Sequence, residues 1–264
     1  MNDLDEVVRI AVLACALVKR HYATAFHVDF KIGDDPVTAA DRETNELICS
    51  ELGRSFPGVP IVAEESDPST FDVRRDASAC FFVDPLDGTR EFVAKNDEFA
   101  VMIGLARAGR AALGVVAAPV TMRVHAGECG VGAFEIAGDG SRRTIHPSSV
   151  DTIPKAHAVV SRSRGTTETL ELLAKLGVKR IDKLGSAGLK AAAIACGEAD
   201  LWLQPTAGGK LWDTCGPEAV AVSAGAFFGT PNGQPIDYAK GPLELDGILV
   251  AATKALFDAM ISRS

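Results

Sequence analysis

The chain has 264 residues, 47% of them hydrophobic and 23% charged, with a formal net charge of -8. Such a chain can bury a sizeable core, as one large domain or two fused lobes. The acidic balance lacks the broad basic surface that nucleic-acid binders usually show, so no nucleic-acid polymer is expected as partner, and no run approaches the ~18 apolar residues of a membrane span.

Residues 4–20 read as an amphipathic helix, because Leu4, Val7, Val8, Ala11, Val12, Cys15 and Val18 recur at helical spacing. A signal peptide would open on basic residues, whereas Asp3, Asp5 and Glu6 come first here and Arg9 interrupts the apolar run. A second helix is expected over 38–52, between Pro36 and Gly53. Strands follow at 59–63, ending on Glu64 and Glu65, and at 80–83, ending on Asp84. Segments 99–107 and 111–118 read as strands around the turn at Gly109, and 124–136 as a further hairpin. Beyond a polar connector near residue 150, strand and helix alternate: strands at 157–161, 178–184 and 199–204, helices at 166–176, 187–196 and 214–224. The expected class is α/β, with an N-terminal lobe over 1–149 and a C-terminal lobe over 150–264. The six cysteines, at 15, 49, 80, 129, 196 and 215, show no CxxC pair and no metal-ligand spacing, so they read as structural thiols of a cytoplasmic protein.

An acidic protein that acts on an anion needs cations between itself and the substrate, which makes acidic clusters the feature to look for. The most informative segment is Phe82-Val83-Asp84-Pro85-Leu86-Asp87-Gly88-Thr89. A buried strand runs into two aspartates, Pro85 turns the chain, and Gly88 allows close backbone approach to a ligand. Thr89 can open a helix whose amides face an anion. The same residues also make a plain turn. Glu64-Glu65 after a strand is equally a solvated loop, and Asp213 in Trp212-Asp213-Thr214 is equally an N-cap. Taken together, four oxygen-donor acids without His or Cys clusters point to a hard cation, most simply Mg²⁺.

Glu64-Glu65-Ser66, Asp84-Pro85-Leu86-Asp87-Gly88-Thr89 and Trp212-Asp213, with Pro36-Val37-Thr38-Ala39-Ala40-Asp41 upstream, resemble in order and spacing the signatures of the inositol monophosphatase superfamily. The resemblance covers about residues 36–225. It implies the layered α-β-α-β-α sandwich shared with fructose-1,6-bisphosphatase, and a lithium-sensitive, Mg²⁺-dependent phosphatase that uses two or three ions. On the same basis Glu64, Asp84 and the Leu86 carbonyl hold one metal, and Asp84, Asp87 and Asp213 the second. Asp41 and Thr89 orient and deprotonate the attacking water, while Glu65 supports a third ion or the ligands themselves. A homodimer is a further expectation of the resemblance.

Within the superfamily, three features resemble the 3'(2'),5'-bisphosphate nucleotidases of sulfate assimilation. Arg90-Glu91 stands where inositol enzymes carry Thr-Asn; Gly185-Ser186-Ala187-Gly188-Leu189-Lys190 ends on a lysine; and Gln204 replaces a glutamate that accepts inositol hydroxyls. Ser161-Arg162-Ser163-Arg164 resembles a substrate-facing segment of those nucleotidases, although it also reads as a surface basic patch, and Lys190 as an exposed helix lysine. The expected substrate is adenosine 3',5'-bisphosphate, cleaved to AMP, with Gly88, Thr89, Ser161, Arg162, Ser186, Lys190 and Gln204 as contacts. Inositol 1-phosphate or a sugar or inositol polyphosphate is the alternative. Lys210, in the inserted loop 206–210, can reach a phosphate or lie exposed. A silent binding protein of the same fold would be expected to lack one of the four acids, and a calcium module would show a loop of spaced acids.

Overall fold

The computed structural model describes residues 2–31, 36–163 and 167–262. The chain opens on helix α1 (Asp3–Tyr22), then β1 (Val28–Phe30), β2 (Pro36–Thr38) and α2 (Ala39–Ser55). Next come β3 (Ile61–Ala63), β4 (Ala79–Asp87), the short helix α3 (Thr89–Val93), β5 (Ala100–Arg107), β6 (Arg110–Ala118), β7 (Arg123–Glu128), β8 (Gly132–Ile136) and β9 (Arg142–Thr144). The remainder runs β10 (His157–Ser161), α4 (Thr167–Lys175), β11 (Arg180–Leu184), α5 (Ala187–Ala195), β12 (Leu201–Gln204), β13 (Gly209–Lys210), α6 (Leu211–Ala224), β14 (Phe227–Gly229), β15 (Glu244–Leu245), β16 (Ile248–Ala251) and α7 (Lys254–Ile261).

Strands β3 to β9 form a seven-stranded sheet in sequence order, antiparallel except for the β3–β4 pair. A second sheet has the order β11-β10-β12-β16-β14. Helices α1 and α2 bury Val7, Ile10, Ala14, Ile48 and Leu52 against Phe81, Val83, Val101, Ile103 and Val115 on one face of the larger sheet. Its other face meets α5 and α6, where Ala192, Ala195 and Val220 join Met102 and Val116. Those two helices also back onto the second sheet through Ile194, Cys215, Trp202 and Val250. Helices α4 and α7 close its outer face with Leu173, Leu256 and Met260. The layers therefore read α-β-α-β-α. The central strands β4, β5 and β6 are covered on both faces and are near-continuous apolar runs, whereas β9 and β11, at the sheet edges, are polar.

Asp3, Asp5 and Glu6 occupy the first turn of α1 and Lys19, Arg20 and His21 the last, each complementing the helix dipole. Leu4, Val7, Ala11, Cys15 and Val18 are buried as the periodicity predicts, whereas Val12 lies outside the stripe. All six cysteines are free, and burial pushes Cys15, Cys80 and Cys196 up to about 12. No described helix is long and apolar enough to cross a membrane.

One contact sets the distance between layers. Helix α6 lies directly on β5 and β6 at three glycines. A β-carbon on Gly104 would sit 2.3 Å from the Gly216 nitrogen, and one on Gly114 would sit 2.4 Å from the Gly216 oxygen. The absence of side chains lets the backbones meet. That seating brings the N-terminus of α6 to the end of β4.

Candidate active site

The C-terminal end of β4 carries the first two acids. The sequence pattern ends this strand at Asp84; in the structure it continues to Asp87. Asp84 pairs with Met102 and Asp87 with Ala100, so three steps on β4 match two on β5. Regular alternation would send residues 84 and 87 to opposite faces, and the extra bulge residue returns both to one face. The Leu86 N–H donates to Asp84 Oδ1 at 2.9 Å, pinning that carboxylate.

Asp213 comes from the other side. The helix expected to begin at Thr214 begins at Leu211, so Asp213 lies within its first turn and accepts the Lys210 N–H at 2.7 Å. Carboxylate oxygens of Asp84, Asp87 and Asp213 all lie within 4.8 Å of one another. Asp84 is 2% exposed, and burial, with the charges of Glu64, Asp87 and Asp213, pushes its carboxyl well above the ordinary range. Asp87 Oδ2 accepts the Gly188 N–H at 2.9 Å and the Ser186 hydroxyl, which also caps α5. Asp87 thus ties the first sheet to the first turn of α5. Ser186 is held at φ +57°, a left-handed conformation unusual for a serine.

Glu64 follows β3, its N–H bonded to Val83 O. Glu64 and Glu65 share the ammonium of Lys31, which lies 3.1 Å from Glu64 Oε1. Burial raises the Glu65 carboxyl, and Lys31 opposes that shift. Burial would lower Lys31, but the two glutamates outweigh it and raise it. Asp41 and Thr89 meet at the same end of the sheet: Thr89 Oγ1 donates to Asp41 Oδ1 at 2.9 Å, with Leu86 O 3.2 Å away. Asp41 Oδ2 accepts the Thr38 N–H and hydroxyl, both at 2.7 Å. Burial still holds Asp41 above its ordinary value despite these bonds. Gly88 has φ +95°, and a β-carbon there would lie 3.1 Å from Glu98 O.

Most of these groups open onto one cleft, although Asp41, Glu65 and Lys31 are not among its lining residues. Its walls include Glu64, Asp84, Leu86, Asp87, Gly88, Thr89, Ser161, Ser186, Lys190, Gln204 and Asp213. Lys190 is buried, so the exposed-lysine reading does not hold. Its ammonium donates to Ser186 O at 2.6 Å and lies 5.0 Å from the centre of the Trp202 ring. Burial pushes it down to about 8, against the pull of Asp87, Glu91, Asp213 and Glu98.

Arg162 does not line the cleft. Its guanidinium grips Glu98 with two bonds of 2.6 Å and donates to Lys183 O. Glu98 in turn accepts the Gly185 N–H at 2.6 Å, so the pair props the loop before Ser186. Arg164 lies outside the described residues. No local sequence signal marks Lys31, which bonds Glu64 and Glu65, or Trp202 on the cleft wall. For Glu91, a buried cleft carboxylate that accepts the Ser163 hydroxyl, the Arg90-Glu91 pair is the available signal. A second acid-containing group, His125, Glu135 and Cys196, is of another kind, because Arg123 and Arg143 both donate to Glu135 Oε2, at 2.7 and 2.9 Å. The two guanidinium groups compensate the charge of Glu135.

The family model for the inositol monophosphatase family matches residues 3–263, nearly the whole chain. The chain belongs to the inositol monophosphatase family. Family membership makes it a metal-dependent phosphatase, and the acids gathered at the end of β4 are those that could bind the metal. Among relatives, the 3'(2'),5'-bisphosphate nucleotidase CysQ of Escherichia coli K12 is 35% identical over 239 residues, covering 89% of this chain and 93% of that protein. The protein of the same name from Haemophilus influenzae is 28% identical, covering 89% and 87%. Among solved structures, CysQ from Bacteroides thetaiotaomicron, described as a bacterial member of the family, superposes with a TM-score of 0.79 at 28% identity, covering 95% of this chain and 97% of that one.

Proposed function

We propose that this family member is a 3'(2'),5'-bisphosphate nucleotidase, releasing phosphate from adenosine 3',5'-bisphosphate to leave AMP. The observation that carries the substrate is Lys190, a buried ammonium on the wall of the cleft that holds the acids. A bisphosphate keeps one phosphate away from the reacting one, and a protein of charge -8 must supply a local cation for it. Inositol instead presents hydroxyls, for which a carboxylate is the stronger acceptor, and Gln204 stands on the cleft wall in that place. The names of the CysQ relatives support the same reading.

The donor set fits Mg²⁺: hard oxygens only, close enough to repel strongly unless a cation lies between them. Glu64, Asp84 and the Leu86 carbonyl would hold one ion and Asp84, Asp87 and Asp213 another, with Glu65 beside a third once Lys31 withdraws. When bound, the ions supply positive charge to the phosphoryl and leaving oxygens and make a water more acidic. The side chains do the rest. Thr89 Oγ1–H donates a hydrogen bond to Asp41, which leaves the hydroxyl lone pairs to accept a hydrogen from the attacking water. As the water oxygen bonds to phosphorus and the bond from phosphorus to the 3'-oxygen breaks, the water proton passes to Thr89 Oγ1 and the threonine proton to Asp41, whose raised pKa suits a base, while the released 3'-oxygen takes a proton from solvent. No covalent enzyme intermediate is required, and the buried thiols are protonated and inert. The lobes 1–149 and 150–264 share the cleft in this account, and cytoplasmic location, lithium inhibition and a homodimer belong to the same proposal.

Steady-state comparison of adenosine 3',5'-bisphosphate with inositol 1-phosphate tests the reading. The bisphosphate is expected to have the higher kcat/KM, and Lys190→Ala to lower its hydrolysis more than that of a small monophosphate. A preference for inositol 1-phosphate overturns the nucleotide assignment.

A further inference from the structure

Arg90, Lys190 and Lys210 line the cleft, with Lys31 and Arg162 beside it, and Arg90 has a partner of its own. Lys31 is paired with Glu64 and Glu65, and Arg162 with Glu98. Lys190 directs its ammonium at the carbonyls of Ser186 and, at 3.4 Å, Leu184. It therefore has one of its three N–H donors left for a ligand. Lys210 is committed to none of these. It lines the cleft, is half-buried, and among the described residues forms no ion pair. Its ammonium rests over the face of Trp212, 5.0 Å from the ring centre. Such a contact is weak when partly solvated and is readily exchanged for a phosphate.

The backbone of the same residue is fixed. Its N–H is held by Asp213 Oδ2 at 2.7 Å, its carbonyl accepts the Thr214 hydroxyl at 3.4 Å, and it pairs across β13–β15 with Glu244. A firmly held backbone three residues before a carboxylate of the acid cluster carries a long, uncommitted cation. That is the arrangement of a clamp, whose stem is pre-positioned and whose head is free to find an anion.

We propose that Lys210 is, beside Lys190, a second specificity-determining residue for the second phosphate: its ammonium leaves Trp212 and binds the phosphate that is not cleaved. The inference rests on the bisphosphate reading given above. Lys190 then acts as the fixed wall of the subsite and Lys210 as its closing side. The substrate class follows, phosphomonoesters that carry a second phosphate on the same small molecule.

The test compares adenosine 3',5'-bisphosphate with 3'-AMP, which has the same scissile group and lacks the 5'-phosphate, using Mg²⁺-loaded wild type, Lys210→Ala and Lys210→Arg. For Lys210→Ala, KM for the bisphosphate is expected to rise about 10- to 100-fold, the range for one charge-assisted hydrogen bond, with a much smaller change in kcat. The loss for 3'-AMP is expected to be at most a few-fold, and Lys210→Arg to recover most of the bisphosphate KM. Inhibition by the product AMP should weaken in parallel, because AMP keeps the 5'-phosphate. Equal losses for both substrates, or no recovery with arginine, would mean that Lys210 only supports the start of α6, and would overturn the proposal. Wild type keeping its bisphosphate preference while Lys210→Ala keeps it too refutes Lys210 alone. Wild type with no such preference refutes the nucleotidase reading and this inference together.

Discussion

Replacing Gly104 by alanine asks whether the closeness of α6 to the sheet is what assembles the site. The new β-carbon would stand 2.3 Å from Gly216 N and 2.6 Å from Cys215 C, both backbone atoms of a packed helix. An ordinary contact between such atoms is about 3.5 Å, so the helix must retreat by roughly 1 Å or the strand must buckle. Overpacking of this kind costs about 1–3 kcal/mol. For a domain of this size that lowers Tm by several degrees, at about 2–4 °C per kcal/mol. The functional effect should exceed the loss of stability. Asp213 rides on α6, while Asp84 and Asp87 ride on the sheet, so a shift of about 1 Å acts directly on the spacing of the three carboxylates. Misplacement of that size can cost on the order of 100-fold in rate. The assay is Mg²⁺ titration of phosphate release beside thermal unfolding in chelator. The expected result is a modestly lowered Tm with a large rise in the Mg²⁺ concentration for half-maximal activity. Unchanged metal dependence in a destabilised Gly104→Ala would show that α6 seating does not set the ligand geometry.

Two further perturbations separate chemistry from stability. Thr89→Ala should lower kcat by about 10²- to 10⁴-fold while the Mg²⁺ dependence moves little, as measured by initial rates across a metal titration; an unchanged kcat removes Thr89 and Asp41 from catalysis. Glu218 is buried on α6, where burial raises its carboxyl to about 7 and Tyr238 Oη donates to it at 2.5 Å. The folded value exceeds the unfolded 4.5. Its contribution is therefore fully present below pH 4.5 and is lost as pH rises toward 7, about 3 kcal/mol in all. Urea midpoints at pH 5 and pH 8 should differ less in Glu218→Gln than in wild type; an equal difference would place the pH dependence elsewhere.

Much of the site was legible because its motifs are local. Glu64 after a strand, Asp84 and Asp87 around Pro85, and Asp213 at a helix start each stand out by residue type and neighbourhood. What the sequence did not disclose is relational. The bulge that returns Asp84 and Asp87 to one face depends on the register with β5, and no pattern within 80–87 reports that register. Arg162 reads as a substrate-facing cation until Glu98, 64 residues earlier, is found to hold it. Lys31 is likewise far in sequence from the glutamates it joins. The second sheet was half seen. Its strands β10 to β12 alternate with helices and announce themselves, whereas β14 and β16 are three and four residues long and pair across a loop. Gly104, Gly114 and Gly216 look like weak points in apolar runs, and only the packing shows that a helix and a sheet touch there.

Phosphate release from adenosine 3',5'-bisphosphate by protein stripped with chelator, then returned to Mg²⁺, tests the central claim most directly. The account predicts no release in chelator, recovery on return of the ion, and no recovery for Asp213→Asn that keeps the wild-type circular dichroism spectrum. Release at the full rate from thoroughly chelated wild type would contradict it.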